Sequence, residues 1–378
     1  MKPDIPITIP FMDDEEKRLA GEAIASGWVA QGPMVGRFEE LVAAYTGAKH
    51  AVAVSSCTAA LHVTLVALRI GPGDEVIVPS LSFIASANAV RHAGALPVFV
   101  DIDPTTYNID PARIEAAITG ATRAIMPVHQ IGLSCEMDAI RAIAKKHNLL
   151  IIEDGACAIG SLYRGKRLGG ESPAFAMSFH PRKVITTGEG GMVLTNDAAL
   201  ERKLRLLRHH GMSVSDLDRH KAGGLVTESY ELVGYNYRMS DVQAALGVAQ
   251  MAKLDYILER RRTLADRYSQ AFSHAKGLAI PREPDYARHN WQSYMPRVTS
   301  EAKITRDGLM ARLLARGIAT RRGIMAIHRE LAYKAIPLRH PLPETERAND
   351  ECIILPLYPS MTESQQNRVI EQVLAAVG

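Results

Sequence analysis

Past residue 50 the chain settles into short apolar runs that alternate with stretches of apolar positions recurring every three or four residues. The runs at 51–55, 75–79, 96–100, 123–128 and 149–152 read as strands, and 58–68, 84–92, 111–118 and 137–147 as helices. Ahead of them, Asp13, Asp14, Glu15 and Glu16 place acids in the first turn of a helix over 13–26, where they meet the positive end of its dipole. A loop at 27–33 leads to a helix over 35–45, with Phe38, Leu41 and Val42 at helical spacing and a stop at Gly47. Strands alternating with helices predict an α/β fold: a mostly parallel, mixed sheet flanked by helices on both faces.

The later chain is different in kind. Residues 174–177 and 192–194 read as buried strands, 198–209 as a basic helix, and the polar, glycine-containing 213–228 as a mobile loop. An almost unbroken helical pattern over 241–272 carries the chain out of a large domain, 13–250, into a smaller C-terminal α/β domain, 251–378. That second unit is expected to hold a strand at 291–298 and helices at 306–316 and 363–376, with residues 1–12 packing near it.

Candidate chemistry sits at the ends of the predicted strands. Ser178-Phe179-His180-Pro181-Arg182-Lys183 follows one of them and runs into a glycine-rich turn, Gly188-Glu189-Gly190-Gly191. Upstream, a strand ends in Glu153-Asp154-Gly155-Ala156-Cys157, and Ser55-Ser56-Cys57-Thr58 opens a helix. In sheets of this type ligands lie beyond the carboxyl ends of the strands, so Thr58, Asp154 and Lys183 are expected at one edge. A lysine, an acid and an anion-binding turn are the parts that hold pyridoxal phosphate (PLP) and make it react. Taken singly, each has a plainer reading: a solvated loop lysine, an acid capping the next helix, and an ordinary Ser/Thr N-cap.

Composition narrows the field. The 378 residues are 47% hydrophobic and 22% charged, ordinary for a globular protein with a large core. The formal charge of +3, without a basic run interleaved with aromatics, argues against a nucleic-acid partner, and it suits a diphosphate-bearing substrate without requiring one. The start of the chain lacks the apolar core of a signal peptide, and no apolar stretch is long enough to span a bilayer. Cys57, Cys135, Cys157 and Cys352 are scattered without metal-ligand spacing and read as reduced thiols of a cytoplasmic protein that holds no metal. No Gly-x-Gly-x-x-Gly turn follows the first strand, which counts against a dinucleotide-binding enzyme.

From about Asp13 to the Leu355-Pro356-Leu357-Tyr358-Pro359 segment, the order and spacing of these motifs resemble the DegT/StrS family of PLP-dependent sugar-nucleotide aminotransferases. The resemblance implies the fold-type I, aspartate aminotransferase-like architecture and a set of roles. Lys183 would bind the cofactor aldehyde and shuttle a proton, and Asp154 would keep the pyridine nitrogen protonated. Ala156 would cover one ring face, and Phe83 would stack on the ring, unless it is plain core. Cys57, Thr58 and Ser178 would hold the phosphate. Asn236, in Gly234-Tyr235-Asn236-Tyr237-Arg238, would reach the phosphate of a neighbouring subunit, making the active unit a homodimer with shared sites. Arg321 and His328 lie in a segment expected over the substrate cleft. The chain departs from the family pattern at Cys57, where glycine is usual, at Cys157, where His or Gln is frequent, and at Arg322, where Pro is frequent. Cys157 is expected to be a packed cysteine.

The function this implies is ping-pong amino transfer: L-glutamate converts PLP to pyridoxamine phosphate, and a keto carbon of a nucleotide-linked deoxysugar takes the amine. The Ser178 to Gly191 motif and His209-His210-Gly211-Met212 look closest to members that aminate C4. C3 amination and an inosose-type ring are the alternatives. A non-catalytic binding protein on the same fold would have eroded Lys183 or Asp154, and a dehydratase would have replaced Lys183 with His; neither is seen.

Overall fold

A computed structural model describes residues 3–214, 219–220 and 227–378. Most of the segment expected as a mobile loop, 215–218 and 221–226, lies outside the described residues.

The central sheet follows the apolar runs closely. Strands β1 (His50–Val54), β2 (Glu75–Pro79), β3 (Leu96–Val100), β4 (Thr122–Ile125), β5 (Leu150–Ile151), β6 (Glu153–Asp154), β7 (Phe175–Ser178) and β8 (Gly191–Thr195) form two four-stranded ladders. One runs β3-β2-β4-β5, all parallel; the other runs β1-β8-β7-β6. Strands β5 and β6 are one path interrupted at Ile152, and a parallel bridge from Val128 to Asp154 joins the two ladders. Strand β8 lies antiparallel to both its neighbours, β1 and β7, which makes the sheet mixed.

Successive strand residues feed opposite cores, as a sheet covered on both faces requires. Ala51 and Ala53 pack with Phe38 and Met192 on one side, while Val52 and Val54 pack with Leu61 and Val193 on the other. Helices α1 (Asp14–Ala25) and α2 (Pro33–Thr46) lie on the first side with α5 (Met137–His147). Helices α3 (Cys57–Ala67), α4 (Ala85–His92) and α6 (Ala198–Arg208) lie on the second.

The helical pattern over 241–272 is two helices, not one: α7 (Asp241–Ala252) and α8 (Leu254–Phe272) meet at Lys253, whose φ −109° and ψ 0° leave the helical range. Leu254, Ile257 and Leu258 continue the apolar spacing across the joint, so periodicity alone does not reveal it. Beyond it, Leu264, Tyr268 and Phe272 enter a separate core with Tyr294, Leu309, Leu355 and Val369. That core includes α9 (Arg306–Ala315) and α11 (Glu363–Val377), and Ile5 joins it through backbone bonds to Gly317 and Ala319. The strand expected at 291–298 is reduced to Arg297–Val298, because Trp291 and Tyr294 serve as packing aromatics in a turn-rich segment; Trp291 itself has φ +52°.

One buried ion cluster pins the helices to the sheet edge. Glu39 on α2 meets Arg208 at 2.6 Å and Arg205 at 3.0 Å, and it accepts the Ala53 N–H of β1 at 2.8 Å. Arg208 donates to the Ala53 carbonyl at 2.7 Å. Glu39→Ala leaves the buried Arg208 guanidinium without a carboxylate and the Ala53 amide without an acceptor, while Arg205 keeps Glu201; the expected cost is about 3–5 kcal/mol of stability in a chemical denaturation series. An unchanged denaturation midpoint would contradict this role.

Candidate active site

One cavity of about 490 Å³ opens beyond the carboxyl ends of the strands, and it collects most of the expected site residues. Thr58 and Cys57 come from the first turn of α3, Phe83 from the turn before α4, and Asp154, Ala156 and Cys157 from the end of β6 and the turn after it. Ser178 ends β7, Lys183 lies in the loop that follows, and Arg321 arrives from the C-terminal part of the chain.

The turn into α3 is built for an anion. Ser56 is the N-cap, its Oγ accepting from the Ala59 N–H at 3.1 Å, and the first-turn N–H groups of the helix have no intrahelical partners. Strand β8 runs tightly against this turn: a Cβ on Gly191 would strike the Ser56 carbonyl and the Cys57 nitrogen. Burial pushes the Cys57 thiol pKa well up, so this bulkier residue at a position where the family prefers glycine presents a neutral side chain.

Asp154 is buried and held from several directions. Its Oδ2 accepts from Ser86 Oγ at 2.7 Å and its Oδ1 from the Ala156 N–H at 3.1 Å. Its backbone bonds to Pro127 and His129 tie it into the parallel ladder. On the other face of the same strand, His129 Nδ1 accepts the Cys135 N–H at 3.1 Å. The ring proton is therefore on Nε2, which donates to the buried Glu153 at 3.0 Å and stiffens the strand end behind Asp154.

The loop after β7 folds back on itself. Thr187 N–H and Thr186 Oγ1 both donate to the Phe179 carbonyl, and the Lys183 N–H donates to His180. This aims Lys183 Nζ into the cavity, where it donates to Cys157 Sγ at 3.1 Å. Burial opposes the lysine's charge, but the Cys157 sulfur and the Asp154 carboxylate outweigh it and hold its pKa above the ordinary lysine value. Burial and the cations nearby lower the His180 pKa, so its imidazole is neutral at pH 7. Phe83 is 56% exposed yet lines the cavity, an unusual place for a phenyl ring unless something flat covers it.

Two expected residues lie elsewhere. His328 does not line the cavity: its Nδ1 pairs with Ser80 Oγ at 2.7 Å and its Nε2 with Glu346 at 3.2 Å, so the ring ties β2 to helix α10 (Pro343–Glu351). Asn236 is exposed and is also absent from the cavity of its own chain; its backbone bridges to His209. Cys157, expected as packing, instead contacts Lys183. Ser86 and Arg182 also reach the cavity. Ser86 carries a legible signal, lying three residues beyond Phe83 in the first turn of a helix, whereas Arg182 could only have been suspected from its place beside Lys183.

These donors match PLP. The α3 N-terminus suits its phosphate, Asp154 its ring nitrogen, the open Phe83 ring its flat face, and the amine of Lys183 its aldehyde.

The DegT/DnrJ/EryC1/StrS aminotransferase family model matches residues 10–374. The spore coat polysaccharide biosynthesis protein SpsC of Bacillus subtilis is 41% identical over 377 residues, covering 98% of this chain and 96% of that protein. DesV of S. venezuelae, solved with a ketimine intermediate, superposes with a TM-score of 0.90 at 35% identity, over 99% of this chain and 98% of that one. DesI, solved in the presence of its TDP-sugar product, gives a TM-score of 0.88 at 31% identity, over 99% and 93%. With the family model spanning almost the whole length, the chain belongs to the DegT/DnrJ/EryC1/StrS family and is a PLP-dependent sugar aminotransferase.

Proposed function

We propose that this enzyme moves an amino group from L-glutamate to the C4 keto carbon of a nucleotide-linked deoxysugar, in the cytoplasm, on a route to a cell-surface polysaccharide. The observation that carries the reading is the meeting of Lys183, Asp154 and the α3 N-terminus in one cavity large enough for a cofactor and part of a substrate. The TDP-sugar product of DesI supports a nucleotide-linked acceptor, and the role of SpsC in spore coat polysaccharide supports the destination.

PLP, when bound, supplies an electron sink for the carbanion at the donor Cα and carries the amino group between half-reactions. The protein's part is to place protons. Asp154, fixed by Ser86 and the Ala156 N–H, holds a proton at the ring nitrogen. Lys183 Nζ would move a proton from the donor Cα to the cofactor's aldehyde-derived carbon in the first half-reaction, and from that carbon to the acceptor carbon in the second. Cys157 Sγ, at 3.1 Å, keeps the lysine amine in place when it is free. Phe83 and Ala156 would cover the ring, and the Cys57 and Thr58 N–H groups with the Ser178 hydroxyl would hold the phosphate; all of these residues line the cavity.

The active unit in this reading is a homodimer with shared sites. Asn236 is exposed and does not line the cavity of its own chain, and Tyr230 and Val233 near it in sequence are 64% and 91% exposed, surface that a neighbouring subunit would cover. Asn236→Ala is expected to weaken PLP retention roughly tenfold, the worth of one hydrogen bond to a charged group, as measured by cofactor release on dilution. Unchanged retention would remove Asn236 from the site. Screening keto sugar nucleotides with glutamate tests the acceptor. Product with nitrogen at C4 is expected, while nitrogen at C3, or turnover only of an inosose, would replace the C4 assignment.

A further inference from the structure

Three arginines line the cavity, Arg182, Arg321 and Arg322, and the steps above use none of them. Arg182 immediately precedes Lys183, and its backbone is fixed on both sides: its N–H donates to His180 Nδ1 at 3.2 Å, and its carbonyl accepts from Gln292 Nε2 at 2.8 Å. Arg321 begins a short strand, Arg321–Arg322, that pairs with Ile353–Ile354. Both side chains line the same cavity as Lys183.

Neither guanidinium has a hydrogen-bond or ion-pair partner among the described residues. Arg322, the neighbour, differs: it pairs with Glu330 at 3.2 Å. The acids that line the cavity do not neutralise the pair either. Asp154 is committed to Ser86 and Ala156, and Glu189 leans toward His180 at 4.0 Å. Arg182 is half-buried, and burial together with the charge of Arg321 pulls its pKa down. Arg321 is exposed, so water screens its charge; together the two present guanidiniums that share no protein counter-ion among the described residues to an entering anion.

Ping-pong chemistry sends two unlike substrates through this one cavity in turn. Both carry an anionic group remote from the reacting atom: glutamate its distal carboxylate, the sugar nucleotide its diphosphate. Guanidinium forks pair with either one through two parallel hydrogen bonds. We propose that Arg182 and Arg321 form a single anion receptor used in both half-reactions, taking the distal carboxylate of the amino donor in the first and the diphosphate of the acceptor in the second. This rests on the amino-transfer reading above and extends it by naming the residues that let one site accept both substrates.

The test uses the full chain loaded with PLP, in wild type, R182A and R321A. The first half-reaction is followed by cofactor absorbance against glutamate concentration, with inorganic pyrophosphate as the probe for the diphosphate. In wild type, pyrophosphate is expected to compete with glutamate. Each variant is expected to raise both the half-saturating glutamate concentration and the pyrophosphate inhibition constant roughly tenfold or more, the effect of losing a charge-assisted pair, with the loss falling on half-saturation more than on the limiting rate. Non-competitive pyrophosphate, or either constant within about twofold of wild type in either variant, overturns the shared receptor. A wild-type chain inert toward glutamate would instead remove glutamate as the donor in the reading above. Calorimetric titration of pyrophosphate into wild type and R182A would then still decide whether the pair receives an anion.

Discussion

Replacing Lys183 with alanine is expected to end amino transfer, with kcat falling on the order of 10⁴-fold or more. The side chain does two things at one point. In the reading proposed above its amine would be the attachment for the cofactor aldehyde and, once released, the base that moves the donor proton. Its surroundings set it apart from a surface lysine: Nζ reaches into the cavity, 3.1 Å from Cys157 Sγ. The loop that aims it is closed by Thr186, Thr187 and Phe179, none of which depends on the lysine side chain, so the variant is expected to fold and to retain its circular dichroism. Substantial transamination by Lys183→Ala would sink the assignment of this site.

Asp154→Asn is the second large effect, with kcat/KM falling roughly 10²- to 10³-fold. Asparagine keeps the shape and can still accept the Ala156 N–H through Oδ1, so the fold around β6 is preserved. What it cannot do is hold a proton at the ring nitrogen, and the electron sink weakens accordingly. Among the described residues no helix directly follows Asp154, and a purely structural role holding Ser86 and the turn at Ala156 predicts the opposite pattern, a loss of stability with little change in turnover. Steady-state kinetics and a melting curve on the same preparation separate the two.

How much of this was legible in the sequence depended on what each residue answers to. Strands β2 and β3 and helix α5 begin and end where the apolar pattern does; every strand residue of β2 is buried, and its one acid, Glu75, is held by Thr119, Thr122 and Arg339. The joint at Lys253 was hidden, since a single residue leaving the helical range does not disturb a spacing that resumes at Leu254. Lys183, Asp154 and the α3 turn were legible because each follows a strand, and a parallel sheet brings strand ends together. Cys157 was not, because its contact with Lys183 spans the gap between two strands and has no local signature. His328 illustrates the converse. Its segment lies over the cleft, but Ser80 and Glu346 take both ring nitrogens, a contact set by tertiary packing alone.

The helix lengths and composition bear on setting in a narrower way. Among the described residues no helix is long and apolar enough to cross a membrane, and no cluster of His, Cys, Asp and Glu could hold a metal ion. The four cysteines are unpaired as disulfides. Cys135 and Cys352 are buried, whereas Cys57 and Cys157 line the cavity.

The most direct measurement is the absorption spectrum of the purified chain reconstituted with PLP, before and after L-glutamate. A band from lysine-bound cofactor that converts to the pyridoxamine phosphate band is the predicted result; it would establish glutamate as the donor, and its absence in Lys183→Ala would fix Lys183 as the attachment point. A lysine-bound band that ignores glutamate would contradict the donor, and no such band at all would contradict the role of Lys183 on which the account rests.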